Sequence, residues 1–244
     1  SRSATRTRPI CIAHRGASGS EPENTLRAFQ RALELGATWL ELDVHHVHDQ
    51  LLVIHDSTLD RTTDGSGALA DHPLDDLRAL DAGAGERIPL LEEVLDVVRG
   101  RARLNIELKH AGTAVPVVEV LRREVAAGTL QPRQFVLSSF VWDELKQARR
   151  LEPEWPVAPL ADKGAGGELL EVAERLQAEA IHISRWSARA RFVQAAHQRG
   201  LAVRVYTVNR DWEFDLMQRV GADAFFTDHP RRALAWGAAA PELV

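Results

Sequence analysis

Three carboxylates, two histidines and two cations fall where short apolar runs of this chain end. Residues 10–13 lead into His14-Arg15-Gly16. The run that begins at Trp39 carries Glu41 and Asp43. Residues 51–54 lead into His55-Asp56, and Asn105-Ile106-Glu107-Leu108-Lys109 repeats the pattern. Charged groups collected at strand ends are what an active site at the mouth of a parallel barrel requires. Glu41 and Asp43 stand two apart on an expected strand, so their side chains share a face. Two ionised carboxylates that close repel each other unless a cation lies between them, and Glu107 offers a third oxygen ligand. Carboxylates and water suit a hard divalent ion, Mg²⁺ or Ca²⁺. The alternative for the same residues is a hydrogen-bonded polar layer without a metal.

His14 and His55 flank the carboxylate pair. A neutral imidazole can take a proton from an attacking hydroxyl, and an imidazolium can give one to a leaving alkoxide. Arg15 and Lys109 are the expected phosphate clamps, a flat donor fork and a point charge; the bland alternative for Lys109 is a solvated strand end. Glu23-Asn24-Thr25 opens a helix, with Asn24 as the expected cap and Glu23 directed either at the metal or at His14. His182 alternates with Ile181 and Ile183 and can face a barrel lumen, with its role open. His45, His46, His48, His72, His110 and His197 are assigned to surface or packing.

These side chains need a scaffold that brings strand ends together. Apolar runs at 10–13, 39–44, 104–108, 135–137, 157–160, 180–183, 201–205 and 224–226 alternate with amphipathic helical stretches at 24–35, 91–98, 115–126, 142–151, 169–176, 188–199, 212–220 and 230–236. Eight strands, each followed by a helix, within 244 residues favour an α/β fold of the closed (β/α)₈ TIM-barrel type. No glycine-rich dinucleotide fingerprint follows the first strand, which weakens the open-sheet alternative. A further short strand at 51–54 and the turn-rich stretch 56–88 interrupt the rhythm. That stretch is an insertion after the second strand, with too few apolar residues to core itself, so residues 1–244 form a single domain.

Composition agrees. Hydrophobic residues make up 45% and charged residues 27%, enough for a full core. The net charge of −5 gives no reason to expect a nucleic-acid partner. Arg2, Arg6 and Arg8 are read as a short solvated tail. One cysteine, Cys11, permits no intramolecular disulfide. No apolar run is long enough to cross a bilayer. The first ten residues lack the apolar segment of a secretory signal, so a cytoplasmic enzyme is expected.

Taken as a set, Ala13-His14-Arg15-Gly16, Pro22-Glu23-Asn24-Thr25, Glu41-Leu42-Asp43-Val44, His55-Asp56, Leu59-Asp60-Arg61-Thr62-Thr63 and Asn105-Ile106-Glu107-Leu108-Lys109 resemble the signature of the glycerophosphodiester phosphodiesterases, cytoplasmic bacterial type. Ser138-Ser139-Phe140, Tyr206-Thr207-Val208-Asn209 and Thr227-Asp228-His229-Pro230 resemble that family's later strand-end motifs. The resemblance spans nearly the whole chain. It implies metal ligation by Glu41, Asp43 and Glu107, often with Glu23, acid/base work by His14 and His55, and phosphate contact by Arg15 and Lys109. It also implies an aromatic wall for the glycerol side at Tyr206, where many members carry tryptophan. Many members have Lys-Asp-Gly in the turn where this chain has His48-Asp49-Gln50. The implied reaction is metal-dependent hydrolysis of a small-molecule glycerophosphodiester, such as glycerophosphocholine or glycerophosphoethanolamine, to glycerol 3-phosphate and an alcohol. Three alternatives stand beside it: a lysophospholipase D-type phosphodiesterase, a non-catalytic barrel that binds glycerophosphodiesters, and a metal-dependent aldolase or isomerase on the same fold, for which Lys109 beside three carboxylates is poorly placed to lose its proton. Oligomeric state is not legible.

Overall fold

The computed structural model describes residues 7–163 and 166–243. Its strands are β1 (Ile10–His14), β2 (Trp39–Val47), β3 (Gln50–Val53), β4 (Arg103–Leu108), β5 (Phe135–Ser139), β6 (Val157–Ala161), β7 (Ala180–Ser184), β8 (Ala202–Tyr206) and β9 (Ala224–Thr227). Its helices are α1 (Leu26–Glu34), α2 (Leu74–Ala79), α3 (Leu91–Val98), α4 (Ala114–Ala126), α5 (Trp142–Leu151), α6 (Gly166–Arg175), α7 (Ala190–Gln198), α8 (Asp211–Val220) and α9 (Pro230–Trp236). All strands but β3 run parallel, and pairing of β1 with both β9 and β2 closes the sheet. This is the (β/α)₈ barrel expected from the alternation. Arg2 and Arg6 lie outside the described residues. Arg8 stacks 4.3 Å from the Trp236 ring centroid, so it is held against α9 rather than left in solvent.

The period-two alternation of a strand explains the two packing layers. Leu40, Leu42 and Val44 of β2 and Leu104, Ile106 and Leu108 of β4 turn outward and pack under α1, α3 and α4. The intervening residues turn into the lumen. There Ile12, Trp39, Val136, Ala158, Ala180, Ala224 and Phe226 form a separate buried cluster. Small residues on the later strands leave room beside the large ones, as a filled barrel interior demands.

Register then places the chemistry. In the β1–β2 pair His14 lies beside Glu41, and in the β2–β4 pair Glu41 lies beside Asn105 and Asp43 beside Glu107. β2 runs on beyond the barrel and folds back as an antiparallel hairpin with β3, pairing Val44 with Val53 and Val47 with Gln50. The turn is His48-Asp49, both left-handed at φ 50° and 57°. The hairpin returns the chain to the barrel mouth and delivers His55 there. Residues after it fold over a satellite cluster of Leu59, Leu69, Leu77, Ala82 and Ile88 that is completed by Leu52 and Ile54 of the hairpin arm.

The opposite end of the lumen is closed by ion pairing. Arg103 Nη1 and Nη2 donate to the two Glu179 carboxylate oxygens at 3.0 and 2.6 Å, and Arg204 donates to the same carboxylate. Both guanidinium groups lie 4.6 Å from the Trp39 ring centroid. Arg204 also meets His182 Nε2 at 3.2 Å. His182 therefore does face the lumen, but inside this plug and against Phe226. Burial, reinforced by Arg204, holds its pKa well below the ordinary histidine value. Removing the shared carboxylate strands two cations, one of them fully enclosed. Glu179→Ala is expected to cost about 3 kcal/mol in chemical denaturation. A loss within measurement error would contradict the bracing role.

Candidate active site

Glu41, Asp43 and Glu107 converge at the barrel mouth with ligand oxygens all within 4.8 Å of one another. All three are buried. Burial, then Asp43 and Glu107, raises the Glu41 pKa well above the usual carboxylate value. Glu107 is raised by burial and by Asp43, with Lys109 opposing. Asp43 moves the other way: burial works against its ionisation, but Arg15 and Lys109 win and hold it down. Three carboxylates that resist sharing one pocket fit a cation among them. The donors are hard oxygens, and the buried Asn105 Oδ1, which lines the same cavity, has no protein partner.

The two expected cations are already at work here. Lys109 Nζ donates to Glu107 at 2.7 Å. Arg15 donates through its backbone N–H to Glu41 at 3.0 Å and through Nη1 to Glu23 at 2.8 Å, and its Nε lies 3.4 Å from Asp43. Arg15 reaches these partners from a left-handed backbone, φ 57°, a conformation uncommon for non-glycine residues. Gly16 follows at φ 76°, and a Cβ there would lie 2.6 Å from the Ala28 carbonyl carbon, so only glycine fits beneath α1.

The helix start differs from expectation. Thr25, not Asn24, caps α1, accepting from the Ala28 N–H at 3.2 Å. Asn24 takes a left-handed conformation, φ 56°, and its Nδ2 donates to Asp43 at 3.0 Å. Glu23 stands apart from the three-carboxylate group. It accepts from Arg15 and, at 2.7 and 3.0 Å, from both terminal nitrogens of Arg61.

Each histidine is backed by an aspartate. His14 Nδ1 pairs with Asp228 at 2.7 Å, leaving Nε2 facing the carboxylates, 3.7 Å from Glu41. Asp228 also accepts from Asn209 at 3.0 Å and Ser18 at 3.1 Å. His55 Nδ1 pairs with Asp56 at 2.6 Å, and Arg61 braces Asp56 through Nε at 2.8 Å. Burial lowers the His55 pKa, against the pull of Asp43 and Asp56. A carboxylate on one ring nitrogen fixes the tautomer and aims the other nitrogen into the site. Asp56, Arg61, Asn209 and Asp228 received no role in the sequence reading. Their only signal was membership in the strand-end motifs, with no spacing rule to pair them with a distant histidine.

The enclosed space is about 210 Å³. His14, Arg15, Glu41, Asp43, His55, Glu107 and Lys109 form its charged side, and Phe140, Leu160, Tyr206 and Phe226 its apolar side. Tyr206 donates its hydroxyl to the Ala161 carbonyl at 2.9 Å and meets Phe140 edge-on. Eight of the nine residues singled out from the sequence thus meet in or directly around one cavity, and Glu23 buttresses it through Arg15.

The metal-capable, histidine-bearing pocket lies at the C-terminal mouth of the (β/α)₈ barrel, where enzymes of this fold carry out their chemistry. Residues 14–232 match the glycerophosphoryl diester phosphodiesterase family. A glycerophosphodiester phosphodiesterase of Caldanaerobacter subterraneus is 36% identical over 231 residues, covering 91% of this chain and 94% of that protein. One from Bacillus subtilis is 30% identical over 247 residues, covering 91% and 84%. Among solved structures, a phosphodiesterase of Oleispira antarctica in complex with the product sn-glycerol-3-phosphate superposes with a TM-score of 0.87 at 32% identity, covering 93% of this chain and 96% of that one. The chain belongs to the glycerophosphoryl diester phosphodiesterase family and is a phosphodiesterase of that class.

The Asp228 carboxyl is held down to about 2: burial opposes this, but the bond to His14 and those from Asn209 and Ser18 outweigh it. A depressed carboxyl stabilises the fold above its unfolded pKa and loses that contribution as pH falls through the folded value. The stability difference between the native chain and Asp228→Asn, measured by urea unfolding in the presence of chelator, is therefore expected to shrink as pH falls from about 4 towards 2. A difference that stays constant or grows over that range would contradict the depressed Asp228 carboxyl.

Proposed function

We propose that this chain hydrolyses glycerophosphodiesters, such as glycerophosphocholine and glycerophosphoethanolamine, to glycerol 3-phosphate and an alcohol. The observation that carries the reading is the pair of Asp–His couples aimed at one three-carboxylate pocket. Glu41, Asp43 and Glu107 hold one divalent ion, Mg²⁺ or Ca²⁺. When bound, that ion polarises the phosphoryl oxygens and offsets their charge.

The chain's own groups do the rest. Arg15 and Lys109 add positive charge where the five-coordinate phosphorus gains negative charge. The apolar side, with Tyr206 and Phe140, receives the glycerol carbons and excludes water. His55 lines the inner cavity and not the wider space outside it, and burial favours its neutral form, so it takes the proton from the attacking hydroxyl. His14 lies at the border between the inner cavity and the wider space outside, where the leaving alcohol must exit. It protonates that alcohol as the phosphorus–oxygen bond breaks. Asp56 and Asp228 hold the two rings and stabilise their charged forms.

Nothing favours the lysophospholipid alternative: Leu69 and Leu77 are buried in the satellite cluster and Leu74 and Leu80 pack against it, so they line no open groove. A binding-only barrel has no use for two aspartate-backed imidazoles. The reading includes a cytoplasmic location, which suits a single thiol that is buried and has no disulfide partner.

Release of glycerol 3-phosphate from glycerophosphocholine is expected with Mg²⁺ or Ca²⁺ and is expected to stop on chelation. No turnover with either ion would sink the activity. His14→Ala is expected to lower kcat on glycerophosphocholine by about 10²–10⁴-fold. On the p-nitrophenyl ester of glycerol 3-phosphate the loss should be far smaller, because p-nitrophenolate leaves without a proton. Equal losses on both esters would reassign His14.

A further inference from the structure

The reaction cavity opens into an outer one of about 890 Å³, and the two share His14, Arg15, Tyr206 and Thr207. A head group esterified to a phosphate in the inner cavity extends into this outer space. Its wall carries Lys163, which follows β6, and Arg185 and Trp186, which follow β7. Trp186 is 62% exposed on this wall.

That ring is already engaged by cations. Arg185 Cζ lies 4.6 Å and Lys163 Nζ 5.5 Å from its centroid. A trimethylammonium head group beside this ring would meet two positive charges. An anion meets the opposite balance. Arg185 is fixed by a bond from Nη1 to the buried Glu213 carboxylate, and among the described residues no hydrogen bond engages its Nε or Nη2. Lys163 has no ion pair among the described residues. The other cations of the outer cavity, Arg15 and Arg61, are committed to Glu23, Asp43 and Asp56, and Asp228 is committed to His14. Asp162 is the remaining acid of the lining, and it lies at 3.5 Å from the Tyr206 hydroxyl.

We infer that Lys163 and Arg185, braced by Trp186, form a subsite for a second phosphate carried on the leaving alcohol. The preferred substrates are then glycerophosphodiesters whose head group is itself phosphorylated, ahead of choline and ethanolamine esters. The inference rests on the hydrolytic reading above. The bond broken is still that between phosphorus and the leaving oxygen; the second phosphate departs intact on the alcohol.

A matched pair of substrates tests this: the glycerophosphodiester of ethylene glycol with and without a terminal phosphate, with glycerophosphocholine as a third. At low salt the phosphorylated ester is expected to show a kcat/KM about ten-fold above its unphosphorylated partner, a gap that narrows as salt rises. Lys163→Glu is expected to collapse that ratio to one or below, and Arg185→Gln to lower it. A ratio at or below one in the native chain, or an unchanged ratio in Lys163→Glu, overturns the subsite. If no glycerophosphodiester is turned over, the hydrolytic reading fails and the subsite is judged by calorimetric binding of the phosphorylated ester. Weaker binding to Lys163→Glu then upholds it, and equal binding to both proteins overturns it.

Discussion

Repulsion among Glu41, Asp43 and Glu107 organises the mouth of this barrel. Parallel register fixes Asp43 beside Glu107, and the two-residue period of β2 adds Glu41 on the same face. The backbone thus forces three buried carboxylates within 4.8 Å. Fully ionised they carry three negative charges, against the two positive charges of Arg15 and Lys109 in direct contact with them. Burial, together with this shortfall, raises the proton affinity of Glu41 and Glu107. A divalent ion among the three would supply the missing positive charge.

The surrounding structure answers the same demand. Arg15 adopts an uncommon backbone conformation that lets one residue give Glu41 an N–H and Asp43 a guanidinium. Asn24 does likewise for Asp43 with its amide. Arg61 links Asp56 and Glu23, so the insertion that follows His55 is tied to the loop that carries Arg15. The two imidazoles therefore come from different parts of the fold, one from a barrel strand end and one from an attached hairpin, yet both are referenced to the same carboxylates. At the far end of the lumen the Arg103–Glu179–Arg204 group closes the barrel without entering the reaction cavity.

Most of the barrel was legible because burial writes itself into period. The run 142–151 and the run 230–236 read as helices and are α5 and α9 with the same limits. The carboxylates were legible because i, i+2 spacing on a strand leaves no choice of face. What stayed hidden depended on long-range geometry. Asp228 lies 214 positions from His14, and no local pattern pairs them. Asn24 looked like a cap by residue type, but the cap falls to Thr25 because Asn24 is drawn to Asp43 instead. Glu23 was offered as a ligand by the family resemblance; in the structure two arginines engage it. His182 was rightly placed in the lumen; its partners, Arg204 and Phe226, lie on strands about 20 and 40 residues later and gave no local cue.

Calorimetric titration of Mg²⁺ and of Ca²⁺ into the chelator-treated protein tests the central claim most directly, run in two buffers of different ionisation enthalpy. One ion should bind per chain with release of protons, because the ion takes over the charge that protons otherwise cover, and Asp43→Asn should abolish binding. Absence of saturable binding by either ion, or binding that is equally tight in Asp43→Asn, would mean that the three carboxylates are not the cation site.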